Sequence, residues 1–180
     1  VVDYPTAVAA NSPLHYWRLG ESGSPASDSA GSRSCTGSGS PSFGASSLVP
    51  TESNTAVDFS GSNSLGCNSF SMSGSTGSIE AWVNADTFPG ASPKIATVAG
   101  IEAFQLRISG GSASFVIQTS SGGLKSLTAG SLTAGMTHHL VGSYDGSTMQ
   151  LYVDGVLVGT TSKSGSFTGS GTFSIGRNSS

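Results

Sequence analysis

Apolar and more polar residues alternate with a period of two along the segment HHLVGSYDGSTMQLYVDGVLVGT, His138 to Thr160. Leu140 and Tyr144, then Met149, Leu151 and Val153, fall on one side of the pleat, as expected of strands with a single buried face. The alternation breaks at Asp145-Gly146 and Asp154-Gly155. Asp-Gly between apolar runs is a strong hairpin signal, because glycine accepts the positive φ that a tight turn requires. The segment therefore predicts a three-stranded meander with those two pairs at its corners. The interval between the aspartates is one strand plus its turn. It separates the carboxylates by roughly 17–20 Å, too far to share a substrate bond or a metal ion.

The same short-period signal recurs along the chain. HYWRLG (His15 to Gly20), AVDFSG (Ala56 to Gly61) and GSIEAWVNA (Gly77 to Ala85) read as strands, as do KIATVAG, AFQLRIS, SASFVIQTS and GTFSIGR. Glycine and serine pairs bound most of them. No segment of a dozen residues keeps a helical period. Glu21 to Thr55 carries few apolar anchors and many turn formers, and reads as a long surface excursion. Roughly ten short strands separated by turns predict an all-β sandwich or barrel, with residues 1–180 as a single domain.

Composition supports that class. Charged residues make up 9% of the chain, against about 25% in an ordinary domain. Glycine numbers 26 and serine exceeds it, so small polar residues that suit strands and turns cover the surface. The formal net charge is −3, and the seven Lys and Arg are scattered singly, which argues against a nucleic-acid partner. No apolar run approaches the length that spans a bilayer, and VVDYPTAVAANSP lacks the basic start and long apolar stretch of a signal peptide.

Cys35 and Cys67 lie in Ser/Gly-rich surroundings. They could stay free, but unpaired thiols are usually buried among apolar side chains, so a disulfide closing a loop of about 30 residues is favoured. Two cysteines with no nearby histidine are too few for zinc.

The meander also resembles the signature ribbon of laminin-G-like domains in the concanavalin A-like lectin/glucanase superfamily. Further matches fall in the family's order: HYWRLGE, AVDFSGSNS, SMSGSTGSIEAWVNAD and FSIGRN (Phe173 to Asn178). The resemblance implies a jelly-roll sandwich of two antiparallel sheets. YPTAVAANSPLHYWRLGE is similar to the opening of such domains in phage structural proteins and actinobacterial exported proteins. A final strand of the F-x-G-x-I-D-E-V type, usual in the family, is absent here, so the expectation is either that the sequence is a fragment of a longer chain or that another chain or segment supplies the strand and covers the sheet edge.

Chemistry follows from what these strands can carry. The glucanase branch uses clustered carboxylates on one strand, and two facing carboxylates are what glycoside hydrolysis needs. The matching strand here offers Glu80 alone, with Asp86 beyond its end, so a hydrolase is disfavoured. There is no G-x-S-x-G elbow, and His138-His139 read as strand residues. The resemblance makes calcium an option, with Asp28 in SDSAGS and Asp58 in VDFSGSN as the candidate ligands. For glycan binding, which relies on exposed aromatic faces, the candidates are Tyr152, Trp82 and Tyr144. Tyr152 leads them because it alternates away from the Leu151/Val153 face. Asn178 in NSS is an N-glycosylation sequon in a host that uses it. The expectation is a non-catalytic binding or adhesion domain for glycans or a surface protein, secreted or displayed on a cell or virion. A structural decoration protein of a phage particle is the alternative.

Overall fold

The structure, a computed structural model, describes residues 2–60, 63–88 and 95–176, with strand assignment only for 95–100. Asn178 and the end of the FSIGRN match lie outside the described residues. The chain divides into two compact units, Val1–Asn68 and Ser69–Ser180.

The first unit contains a helix, α1 (Tyr4–Ala10), shorter than the dozen residues over which a helical period would show in the sequence. Its signals are local: Asp3 caps the start by accepting the Thr6 N–H at 2.8 Å, and Pro5 occupies the first turn, where its missing N–H costs nothing. HYWRLG is a correction to the strand expectation. Only an isolated bridge, Trp17 to Asp28, forms there. The side chains explain why. His15 stacks on Trp17 with ring centroids 5.3 Å apart, and the Trp17 indole N–H donates to the Arg33 carbonyl at 2.6 Å. The aromatic alternation thus serves a loop clasp instead of a ladder.

The excursion is more ordered than its composition implies. It holds β1 (Thr36–Ser38), which pairs with the start of β4 (Ser64–Gly74), and β2 (Ser42–Ala45), which pairs with β3 (Ala56–Asp58). Cys35 and Cys67 are joined as a disulfide, with Cα atoms 4.1 Å apart and both side chains closed to solvent.

The second unit is a sandwich. Its strands are the end of β4, β5 (Gly77–Asn84), β6 (Ile95–Ile101), β7 (Phe104–Ser109), β8 (Ser112–Thr119), β9 (Gly123–Ser131), β10 (Thr137–Tyr144), β11 (Thr148–Val153), β12 (Val156–Ser162) and β13 (Phe167–Ile175). One sheet runs in the order β13-β6-β7-β8-β9, with β4 beside β13; the other runs β12-β11-β10-β5. Register places Phe104, Leu106, Phe115 and Ile117 on one face of the first sheet. Leu140, Met149 and Leu151 are buried on one face of the second. The ring of Phe115 lies so close to Gly142 of β10 that a Cβ there would collide with it, which ties the two faces into one core. Phe104 adds an edge-on contact with Phe115 at 5.1 Å and a tilted one with Phe167 at 4.9 Å. Each such side chain contributes about 1.5–3 kcal/mol when fully buried, and close packing at glycine is what holds the sheets in one register.

Candidate functional site: the outer face of the four-stranded sheet

The predicted meander forms as β10, β11 and β12. At its first corner Asp145 Oδ1 accepts the N–H groups of Ser147 (2.8 Å) and Thr148 (2.7 Å), which lower its carboxyl pKa. At the second, Asp154 and Gly155 both take positive φ, 52° and 79°, the backbone of a type I′ turn. With Leu140, Tyr144, Met149, Leu151 and Val153 turned inward, the intervening residues must face out.

Cross-strand register arranges those outward residues in rows. One row runs Glu80, Val141, Tyr152, Leu157; the next runs Ser78, Ser143, Gln150, Thr160. An aromatic–aliphatic strip therefore lies beside a strip of hydroxyls and one amide, one side-chain repeat away on the same face. Leu157 is 47% exposed, and no described residue hydrogen-bonds the hydroxyl of half-buried Tyr152. Ser143 Oγ lies 3.5 Å from Gln150 Oε1, which orients the amide across the strip.

Trp82 lies on this face as well, in register with His139, and the two rings stack with centroids 4.7 Å apart. The indole nitrogen is closed to solvent, so a ligand on this face would meet the Trp82 ring and not its N–H. Burial lowers the His139 pKa, against the opposing pull of Glu80 and Asp154, and the imidazole is neutral at pH 7. Glu80 Oε2 approaches His139 Nε2 at 3.7 Å.

Tyr144 requires a correction. It is 2% exposed, points inward, and donates from its hydroxyl to the carbonyl of Gly165 at 2.7 Å, with that of Gly146 at 3.0 Å. It pins loops and presents no face to a glycan. The platform's other members, Val141, Ser143, Gln150 and Leu157, were missed in the sequence. Alternation marks each as outward, but only pairing across strands shows which of them are neighbours.

The two candidate calcium ligands belong to the first unit. Asp28 has a 1% exposed side chain and accepts from His15 Nδ1 (2.6 Å) and from the N–H groups of Tyr16 (2.9 Å), Gly31 (2.9 Å), Arg33 (3.0 Å) and Ala30 (3.2 Å). Burial pushes its pKa up, but those donors outweigh burial and hold the carboxyl below the usual range. With every lone pair engaged, its oxygens fit a loop anchor better than a cation ligand. Asp58 stands exposed at the end of β3, opposite Ser42. Among the described residues no three His, Cys, Asp or Glu side chains gather as a metal site.

Comparison with solved structures matches this fold to toxin binding domains at low identity. The receptor binding domain of botulinum neurotoxin mosaic serotype C/D gives a TM-score of 0.61 at 14% identity, over 92% of this chain and 44% of that one. A botulinum neurotoxin type C structure, described as dependent on two ganglioside molecules for cell entry, gives 0.60 at 13% identity, over 94% and 44%. The serotype D ligand binding domain in complex with N-acetylneuraminic acid gives 0.56 at 14%, over 89% and 43%. The chain thus spans less than half the length of these structures. No curated protein matches it. A laminin-G family model, described as the concanavalin A-like lectin/glucanases superfamily, matches residues 54–180. With its antiparallel sandwich and its YDG and VDG corners, the chain belongs to the laminin-G-like family of the concanavalin A-like lectin/glucanase superfamily.

Proposed function

We propose that this chain is a non-catalytic module that binds carbohydrate on the outer face of β5-β10-β11-β12, with Tyr152 as the principal contact. The observation that carries the reading is the pair of rows: an aromatic ring flanked by Val141 and Leu157, beside Ser143, Gln150 and Thr160. A pyranose has an apolar C–H face and a rim of hydroxyls, and it matches an aromatic strip bordered by hydrogen-bonding side chains. The toxin binding domains that share the fold, one of them with N-acetylneuraminic acid bound, support glycans as the ligand class. The Cys35–Cys67 disulfide supports work in an oxidising setting, outside the cell or on a cell or virion surface. Binding is preferred to hydrolysis because β5 carries no carboxylate besides Glu80, whereas glycoside cleavage needs a pair.

The test is an oligosaccharide array followed by calorimetry on the best hit. Tyr152→Ala is expected to weaken that hit at least tenfold while the thermal midpoint barely moves, and Glu80→Gln to leave binding intact. A blank array at millimolar sugar would sink the reading. Turnover of β-glucans that disappears in Glu80→Gln would replace it with the hydrolase.

A further inference from the structure

Arg107 lies in β7 on the other sheet, on the face opposite Phe104 and Leu106. Register aligns it with Ser114 of β8, and Ser114 with Thr128 of β9, so a guanidinium and two hydroxyls form one row across three strands. Thr128 Oγ1 donates to Ser114 Oγ at 2.9 Å. The adjacent row places Gln105 beside Val116. Gln105, Ser114 and Val116 are each nearly closed to solvent, at 1%, 3% and 0% exposure.

The buried amide of Gln105 holds the arginine. Its Nε2 donates to the Glu102 carbonyl at 2.9 Å, and its Oε1 accepts from Arg107 Nε at 2.7 Å. That contact uses one of five guanidinium donors, and among the described residues no acceptor meets the two-pronged Nη edge. Among the described residues no carboxylate lies within ion-pair distance of Arg107. A half-buried charge in such surroundings is costly unless something pairs with it. A planar fork already oriented through Nε is built for a bidentate oxyanion.

We infer that Arg107, with Ser114 and Thr128, forms a second binding site that takes the carboxylate or sulfate of an acidic saccharide. The anion would accept two N–H groups from the guanidinium and one O–H from Ser114, whose proton is not used in accepting from Thr128. The saccharide as carrier rests on the reading proposed above; the oxyanion preference rests on the arginine alone.

Three probes separate the possibilities on the intact chain: a hexuronate disaccharide, a sulfated neutral disaccharide, and the neutral disaccharide itself. Binding is followed by calorimetry and by NMR at the Arg107 Nε–H and the Ser114 and Thr128 amides. At least one anionic probe is expected to bind and shift these signals, with the neutral probe at least tenfold weaker when titrated at the same signals. Which anion binds identifies the source. Arg107→Gln should abolish the effect, and Arg107→Lys, which keeps the charge but loses the fork, should retain less than a fifth of the affinity. Tyr152→Ala should leave it unchanged. Equal shifts by neutral and anionic probes at the Arg107, Ser114 and Thr128 signals overturn the inference, as do undiminished shifts at Ser114 and Thr128 in a folded Arg107→Gln. Shifts lost in Tyr152→Ala would assign the anion to the platform instead, and so also overturn it. Loss of neutral-glycan binding at Tyr152 leaves this result standing, so the two readings fail separately.

Discussion

His138 and Asp154 close the meander upon itself: imidazole Nδ1 lies 2.7 Å from carboxylate Oδ2, joining the first residues of β10 to the turn after β11. The other carboxylate oxygen accepts the His139 N–H at 2.8 Å, and His138 Nε2 accepts the Thr133 N–H at 3.0 Å. The imidazole therefore carries its proton on Nδ1 and bridges a loop to a turn. The aspartate that the sequence places at a corner is also the clasp of the hairpin.

Replacing that clasp should cost stability. Asp154→Ala loses two accepted hydrogen bonds and places a Cβ residue without local hydrogen bonding at φ 52°. A loss of about 1–2 kcal/mol is expected in urea unfolding, chiefly from the turn, because the carboxylate is half-exposed and its hydrogen bonds compete with water. Asp154→Asn, which tolerates the same backbone, should lose about half as much. Equal losses in the two variants would mean that charge, not turn geometry, dominates.

Asp28 should make the fold acid-sensitive. Its carboxyl pKa is lower folded than unfolded, so its contribution is complete above the unfolded value near 3.9 and fades as pH falls through the folded one. The thermal midpoint should hold from pH 7 to 5 and decline below about pH 4. Asp28→Ala strands five donors and should cost on the order of 3 kcal/mol at pH 7, while flattening the acid decline. A decline of undiminished size in that variant would place the acid response elsewhere, for instance at Asp145 and Asp154, whose pKa values are also lowered.

Tyr144 divides stability from binding. Burial raises its phenol pKa, with Asp145 adding to the effect, so the neutral hydroxyl persists as a donor to Gly165 at ordinary pH. Tyr144→Phe should destabilise by about 1 kcal/mol and leave glycan affinity unchanged. A tenfold fall in affinity at constant stability would return Tyr144 to the ligand.

Reduction should loosen the first unit. The Cys35–Cys67 bridge spans a sequence separation of 32, worth roughly 3–4 kcal/mol in the chain-entropy model. Dithiothreitol, or Cys35→Ala with Cys67→Ala, should lower the melting temperature and increase proteolysis between residues 35 and 67. Melting curves that superimpose with and without reductant would exclude that contribution.

Much of the sandwich was legible because strand signals are local. Alternation and Asp-Gly corners encode β10 to β12 within a short stretch, and Tyr152 could be placed outward from its neighbours alone. β4 and β9 escaped notice because SLGCNSFSMSG and GLKSLTAGS are diluted by serine and glycine. Pairing with richer strands makes them strands, a case of tertiary context overriding propensity. HYWRLG failed in the other direction: its apolar periodicity is satisfied by ring stacking and a loop carbonyl.

By itself, then, the sequence determined the class of fold, the family and the inward or outward sense of each meander residue. Those depend on side-chain period and turn chemistry, which act within a few residues. Only the tertiary structure decided that Asp28 anchors a loop, that Tyr144 is a buried pin, and that Tyr152 shares a face with Gln150 and Ser143 while Arg107 lines up with Ser114 and Thr128. These are relations between residues brought together by register, and register is settled by the packing of whole sheets, such as Phe115 against Gly142.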